Sequence, residues 1–162
     1  MGKTMEQGAG SVYSYNKEVS ELTGLEIIQG MLRGQFPPPP MAELLNFALH
    51  NVVKGKVVFK GTPTWECTNP MGTVHGGWYG TILDSAMACS VITELLPGKQ
   101  FTTLEFKVNL IRPIPLDFEV FTEGKVIHLG KTTAVAEANI NDSEGKIYAL
   151  GTSTGIIFSP RI

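Results

Sequence analysis

The sequence predicts an α+β domain in which a sheet curls around one long helix. Two observations carry this expectation. Between Glu66 and Glu94 the only formal charge is Asp84, and apolar residues cover most of the helical girth of that stretch. That pattern belongs to a buried helix rather than a surface one. After it, the chain runs in apolar and β-branched segments of strand length separated by turn residues.

Taken in order, residues 1–16 are polar and rich in Gly and Ser, without an apolar signal core, and are expected to be disordered. Residues 17–34 read as an amphipathic helix, with Val19, Leu22, Leu25, Ile28, Met31 and Leu32 recurring on one face. Gly34 and the run Pro37-Pro38-Pro39-Pro40 end it, because four pinned φ angles without backbone donors make a stiff spacer. A ligand for a proline-binding domain is the rarer reading of such a run. A second helix is expected over 41–49, carrying Leu44, Leu45 and Phe47, and strand-turn-strand over 52–60 around Lys54-Gly55-Lys56.

The central helix spans about 75–96. Trp78, Ile82, Ala86 and Cys89 fall on one face, Leu83, Met87 and Val91 on its flank, and Pro97-Gly98 stops it. In 103–110 polar and apolar residues alternate, as in a half-buried strand, until Arg112-Pro113-Ile114-Pro115 breaks it. Strands over 118–129 and 131–140 join around Gly130, 141–145 is a turn, and 146–158 closes the meander. The organisation is therefore a tail over 1–16, a helix and proline spacer over 17–40, and one domain over 41–162.

Composition narrows the function. The net charge is −2 and no cluster of Lys and Arg forms a face for a nucleic-acid backbone. No apolar stretch is long enough to span a membrane. Cys67 and Cys89 have neither zinc spacing nor a disulfide framework around them, so no metal is expected and a reducing cytoplasm is the default compartment. Both read as small core residues.

Asp84 is the residue most in need of explanation. A carboxylate on a buried helix costs several kcal/mol unless it is hydrogen-bonded or paired. It either ties down a neighbouring loop or serves as a general base or nucleophile. Gly76 and Gly77 open the same helix, where free N–H groups and the helix dipole suit a developing oxyanion and glycine admits a ligand carbonyl close to the backbone. A tight turn into a helix would explain them equally well.

Spacing adds a constraint. Gly76 and Asp84 stand ~12 Å apart along one helix axis, at about 1.5 Å per residue, so one substrate carbonyl cannot touch both. Two antiparallel copies about a two-fold axis would bring Gly76 of one beside Asp84 of the other, which makes the chain at least a dimer if these residues form one site. Asn69 sits in the loop before the helix, where its amide holds either a turn or a ligand. Thr103 either begins its strand or orients a water. His75 is better suited to a structural hydrogen bond at the helix mouth than to base catalysis. No serine-nucleophile motif is present.

Read together, Asn69, Gly72, His75-Gly76-Gly77, Leu83-Asp84, Thr103-Leu104-Glu105-Phe106 and Arg112-Pro113 resemble the hotdog-fold acyl-CoA thioesterases of the PaaI-like branch, over roughly 41–158. The resemblance implies a hotdog fold with extra N-terminal helices, in dimers that pair into homotetramers, and an acyl-CoA thioesterase without metal or organic cofactor. It implies that the Gly76 amide polarises the thioester carbonyl and that Asp84 of the other chain acts on water or attacks directly. Thr103 and Asn69 would assist at the reaction centre and His75 would support substrate or loop. Gly77, Gly130 and Lys131 are candidate substrate contacts, the lysine for a CoA phosphate. A hotdog hydratase or dehydratase, and a non-catalytic acyl-CoA sensor, are the competing functions. The segment from residue 17 to the prolines lies outside the common core, and the two N-terminal helices are expected to cap the acyl pocket by their apolar faces.

Overall fold

A computed structural model describes residues 17–159, so the tail expected over 1–16 lies outside the described residues. One antiparallel sheet comprises β1 (Phe47–Val53), β2 (Lys56–Gly61), β3 (Gln100–Leu110), β4 (Val120–Leu129), β5 (Thr133–Asn141) and β6 (Ile147–Phe158). Its order is β1-β2-β4-β5-β6-β3. Helices α1 (Lys17–Ser20), α2 (Gly24–Leu32) and α3 (Pro40–Leu44) precede β1, and α4 (Gly76–Ile92) lies between β2 and β3. Strands β2 to β6 all touch α4, which is the wrapped-helix architecture the sequence predicts.

The core is built where α4 meets the sheet. Ile82, Leu83, Ala86, Met87 and Val91 are completely buried, opposite Val120, Ala134, Ala136, Ile140 and Ala149 of the strands. Small residues on the sheet let the helix come close. At Gly124 of β4, a Cβ would stand 2.2 Å from the Ala86 carbonyl oxygen, so only glycine fits. Two side chains of α4 then anchor the surrounding chain: Trp78 Nε1 donates to the Leu45 carbonyl at 2.8 Å, and the Tyr79 hydroxyl accepts from the Ile114 N–H at 2.8 Å.

Strands β3, β4 and β5 start two or three residues from the expected positions, and the helices show three further departures. The single helix expected over 17–34 is two, because Thr23 caps a new start. Its hydroxyl accepts from the Glu26 N–H while the Glu26 carboxylate accepts from the Thr23 N–H, a reciprocal capping box. The Thr23 hydroxyl also donates to the Glu26 carboxylate at 2.7 Å, and this bond first, then the one from the Thr23 N–H, holds the Glu26 carboxyl below the usual range. The helix expected over 41–49 stops at Leu44, and Phe47, Ala48 and Leu49 belong to β1. Asn46, with φ of 53°, turns the chain, and pairing with β2 from Phe47↔Gly61 onward outweighs helical spacing. Finally, α4 ends at Ile92 rather than near Leu96. The Thr93 hydroxyl donates to the Ser90 carbonyl and accepts from the Gly55 N–H, which docks the β1–β2 turn onto the helix end.

Replacing Gly124 with Ala is expected to force α4 off the sheet at a cost of about 3 kcal/mol, near the upper end of ordinary overpacking. Urea denaturation of the full chain would measure it; an unchanged midpoint would mean that this contact does not set the helix-to-sheet spacing.

Candidate active site

The face of α4 turned away from the sheet is a stripe of small and polar residues. Gly76, Gly77, Gly80, Thr81, Asp84 and Ser85 line an open groove of about 660 Å³, closed on the other side by Met41 of α3 and by Phe106 and Val108 of β3. A second depression continues past Asp84 and Ala88 along 101–106 of β3. The expectation of a helix buried around most of its girth therefore holds for the sheet-facing side only. The signal for the open face was present in the repeat of small residues at Gly76, Gly80, Asp84 and Ala88, four apart. Of the other groove residues, Phe106 falls in the Thr103-to-Phe106 motif, whereas Val108 and Met41 had no site signal of their own.

At one end of the groove the helix start is organised by His75. Its Nδ1 accepts from the Gly77 N–H at 2.8 Å, making the histidine the N-cap, and its own N–H donates to the Cys67 carbonyl. With Gly77 engaged and the Trp78 N–H bonded to the His75 carbonyl, the Gly76 N–H has no acceptor among the described residues. It stays exposed at the positive end of the helix dipole.

Further along the stripe, half-buried Asp84 accepts at Oδ1 from the Thr103 hydroxyl, at 2.8 Å. That contact depends on a bulge. Perfect alternation would put Thr103 on the opposite face of β3 from Phe106 and Val108. The register against β6 slips between Thr103 and Glu105, leaving Leu104 as the extra residue. Thr103 on one side of the bulge and Phe106 on the other thus both face α4, and Phe106 lies against Gly80. Leu104 itself is 62% exposed at the free edge of the sheet, as are much of Phe106 and Leu110.

The remaining candidates lie elsewhere. The Asn69 side chain is engaged within its own loop, accepting from the N–H groups of Met71 and Thr73 and donating to the Thr73 hydroxyl. Gly130 and Lys131 form the turn between β4 and β5, with Lys131 exposed and neither residue lining the groove. The hydroxyls of Thr81 and Ser85 bond back to the carbonyls of Gly77 and Thr81, so they turn no free donor on the groove. Among the described residues no group of three His, Cys, Asp or Glu side chains could hold a metal ion, and no helix is long and apolar enough to cross a membrane.

Comparison with known proteins points to a family. Residues 71–149 match the thioesterase superfamily. Over that stretch the chain is similar to the thioesterases, and its sheet-wrapped helix is the hotdog fold. Human acyl-coenzyme A thioesterase 13 is 29% identical over 109 residues, 65% of this chain and 76% of its own length. A phenylacetic acid degradation-related protein of Ralstonia eutropha superposes with a TM-score of 0.72 at 26% identity, over 80% of this chain and 98% of that one. A hypothetical thioesterase of Streptococcus pneumoniae, solved with coenzyme A, gives a TM-score of 0.65 at 26% identity, over 72% and 89% of the two chains. The thioesterase-superfamily match includes Gly76 and Thr103 together with Asp84, and starts two residues beyond Asn69.

Near this site, burial first and then the charge of Asp84 push the Cys89 thiol up to about 12. The folded state therefore holds this proton more tightly than the unfolded chain, whose thiol ionises near the ordinary value of 9. The sign follows: Cys89 costs nothing below pH 9, and stability is lost as pH rises from about 9 toward 12. Cys89→Ala is expected to flatten the alkaline fall in urea midpoint relative to the parent chain; parallel pH profiles would remove this group from the account.

Proposed function

We propose that the chain hydrolyses acyl-CoA thioesters at a site completed by two protomers. The observation that carries this reading is the pairing, along one groove, of an unengaged Gly76 N–H at a helix start with an Asp84 carboxylate oriented by Thr103. Because the two stand ~12 Å apart on one axis, a single carbonyl meets both only when a second α4 runs antiparallel to the first. The small-residue stripe suits such close packing. The outer edge of β3, with no neighbouring strand in the sheet order and with apolar Leu104, Phe106 and Leu110 exposed, suits pairing with a second β3. Leu150 and Ile156 expose apolar side chains on the sheet face away from α4, where two dimers can join as a tetramer.

The chemistry then runs as acyl transfer to water. Asp84 of one protomer takes a proton from a water that the Thr103 hydroxyl also holds as acceptor, and the water oxygen bonds to the thioester carbon. Negative charge gathers on the carbonyl oxygen at the Gly76 N–H of the other protomer, where a fixed donor at a helix terminus stabilises it without reorganisation. The C–S bond breaks, CoA leaves as thiolate and takes up a proton, and the free acid departs. Neither metal nor organic cofactor is needed in this sequence. The Thr103 contact favours Asp84 as base over Asp84 as nucleophile, since the donor that orients it also positions a water. Relatives named as acyl-CoA thioesterases, and a neighbour solved with coenzyme A, support the substrate class. The two free cysteines suit a reducing cytoplasm.

Asp84→Asn is expected to lower kcat by about 10²–10⁴, the range of a general base, while the purified chain keeps its unfolding midpoint and its dimer mass. CoA release across acyl esters measures it; full activity in this variant would end the mechanism. A single turnover in ¹⁸O-water should label the released acid and leave Asp84 unlabelled. Label in Asp84 would show that it attacks directly.

Mixing Asp84→Asn chains with Gly76→Pro chains, which lack that N–H, should restore up to about a quarter of the parent activity in a statistically mixed dimer, where one site of the hetero-pair is intact. No recovery on confirmed mixing would overturn the site shared between two chains.

A further inference from the structure

Beyond the groove, α2 closes a cavity that the hydrolytic reading leaves unexplained. Its volume is about 170 Å³, and it is lined mainly by Ile27, Ile28 and Met31 of α2, Cys89 and Ile92 of α4, and Phe101 of β3. An apolar cavity of about 150 Å³ stays dry and accepts a benzene-sized group, so this one has room for a comparable hydrocarbon.

The wall formed by α2 is a built feature. The Gly24 N–H donates to the Leu95 carbonyl at 3.0 Å, and the capping box at Thr23 sets where the helix begins. A Cβ on Gly24 would fall 1.7 Å from the Ile92 carbonyl oxygen, so glycine is required for α2 to lie this close to the end of α4. The helix is thereby held across the cavity by backbone contact and not by side-chain packing alone.

The cavity also borders the reaction centre. Phe101 lines both it and the depression that contains Asp84, Ala88 and Thr103. The Phe101 ring lies over Gly155, where a Cβ would meet it at 2.2 Å, so the absence of a side chain on β6 seats the ring between the two spaces. Cys89 is one level further along α4 than Asp84, ~7 Å at about 1.5 Å per residue, and feels its charge. A chain that starts at a carbonyl beside Asp84 and passes Phe101 would reach the wall at Cys89 and Ile92.

We infer that the cavity between α2, the second half of α4 and the start of β3 receives the apolar tail of a medium-length acyl group, with Phe101 as its gate and α2 as its end wall. This rests on the hydrolytic reading for the position of the thioester, and it makes Ile27, Met31 and Phe101 determinants of chain length.

The test uses the full chain with Ile27→Phe and Met31→Phe, which fill the cavity, and Phe101→Ala, which opens it. Two readouts are taken: CoA release from acetyl-CoA, octanoyl-CoA and dodecanoyl-CoA, and calorimetric binding of S-methyl-CoA and S-octyl-CoA, thioethers that cannot be hydrolysed. Either filling variant should lower the octanoyl-to-acetyl ratio of kcat/KM about tenfold or more, the loss expected from turning out a few methylenes, and should weaken S-octyl-CoA relative to S-methyl-CoA by a similar factor. Phe101→Ala should raise the dodecanoyl-to-octanoyl ratio, which keeps the proposal testable if a filled cavity prevents folding. Unchanged ratios in the folded variants would overturn the cavity's role while leaving hydrolysis standing. Parent chain that prefers S-octyl-CoA, loses that preference on filling, yet releases no CoA from any ester would sustain the cavity and overturn hydrolysis.

Discussion

The contact between α4 and the sheet is the constraint from which the other features follow. A helix with a completely buried side needs strands that offer it small residues, and Gly124 against the Ala86 carbonyl is the closest of these approaches. Burying large side chains such as Ile82, Leu83 and Met87 contributes roughly 1.5–3 kcal/mol each, so the helix has little freedom to roll. Once that face is committed, the opposite one is defined to within a side chain. The residues left there are Gly76, Asp84 and Ala88 with their neighbours, which line open depressions, and Gly80, which is covered by Phe106.

That division of the helix explains why a charge can sit on so apolar a segment. Asp84 is not in the core; it stands at the boundary between packed and open faces, half-buried and hydrogen-bonded by Thr103. Its oxygen partner comes from a strand that reaches α4 only through a bulge. At the other end of the stripe, His75 satisfies Gly77 and leaves Gly76 with its N–H unengaged. In the proposed mechanism Asp84, held by one neighbour, and the Gly76 N–H, left open by another, are the complementary halves of an acyl-transfer site, separated by the rise of the helix that carries them. That separation is the reason the proposed site draws on a second chain.

The helices that precede the sheet do more than extend the domain. Helix α2 is fastened to the end of α4 by a backbone hydrogen bond at Gly24, and α3 places Met41 on the groove. Both bring apolar side chains to spaces that adjoin the stripe, the first as the wall of a partly open cavity, the second as the rim of a wider groove. Their positions follow from local chemistry, a capping box in one case and a proline-led turn in the other.

Much of this was legible from residue order. Apolar periodicity located α4 and its buried residues, and the lone charge at Asp84 together with the His75-Gly76-Gly77 start marked the candidate site. Turn residues also divided the later strands correctly, since Gly130 and the Asn141–Gly145 segment break any regular pattern locally. Apart from the helix break at Thr23, where a local capping box intervenes, the errors fall where partners distant in sequence decide the outcome. Phe47 to Leu49 have helical spacing, but hydrogen bonds to β2 draw them into a strand. Thr103 belongs to a faultless alternation, yet its pairing with β6 inserts Leu104 as an extra residue and turns the hydroxyl toward Asp84. Periodicity is a property of neighbours and survives in the sequence; register and bulges are set by which strand lies alongside, and only the folded chain supplies that.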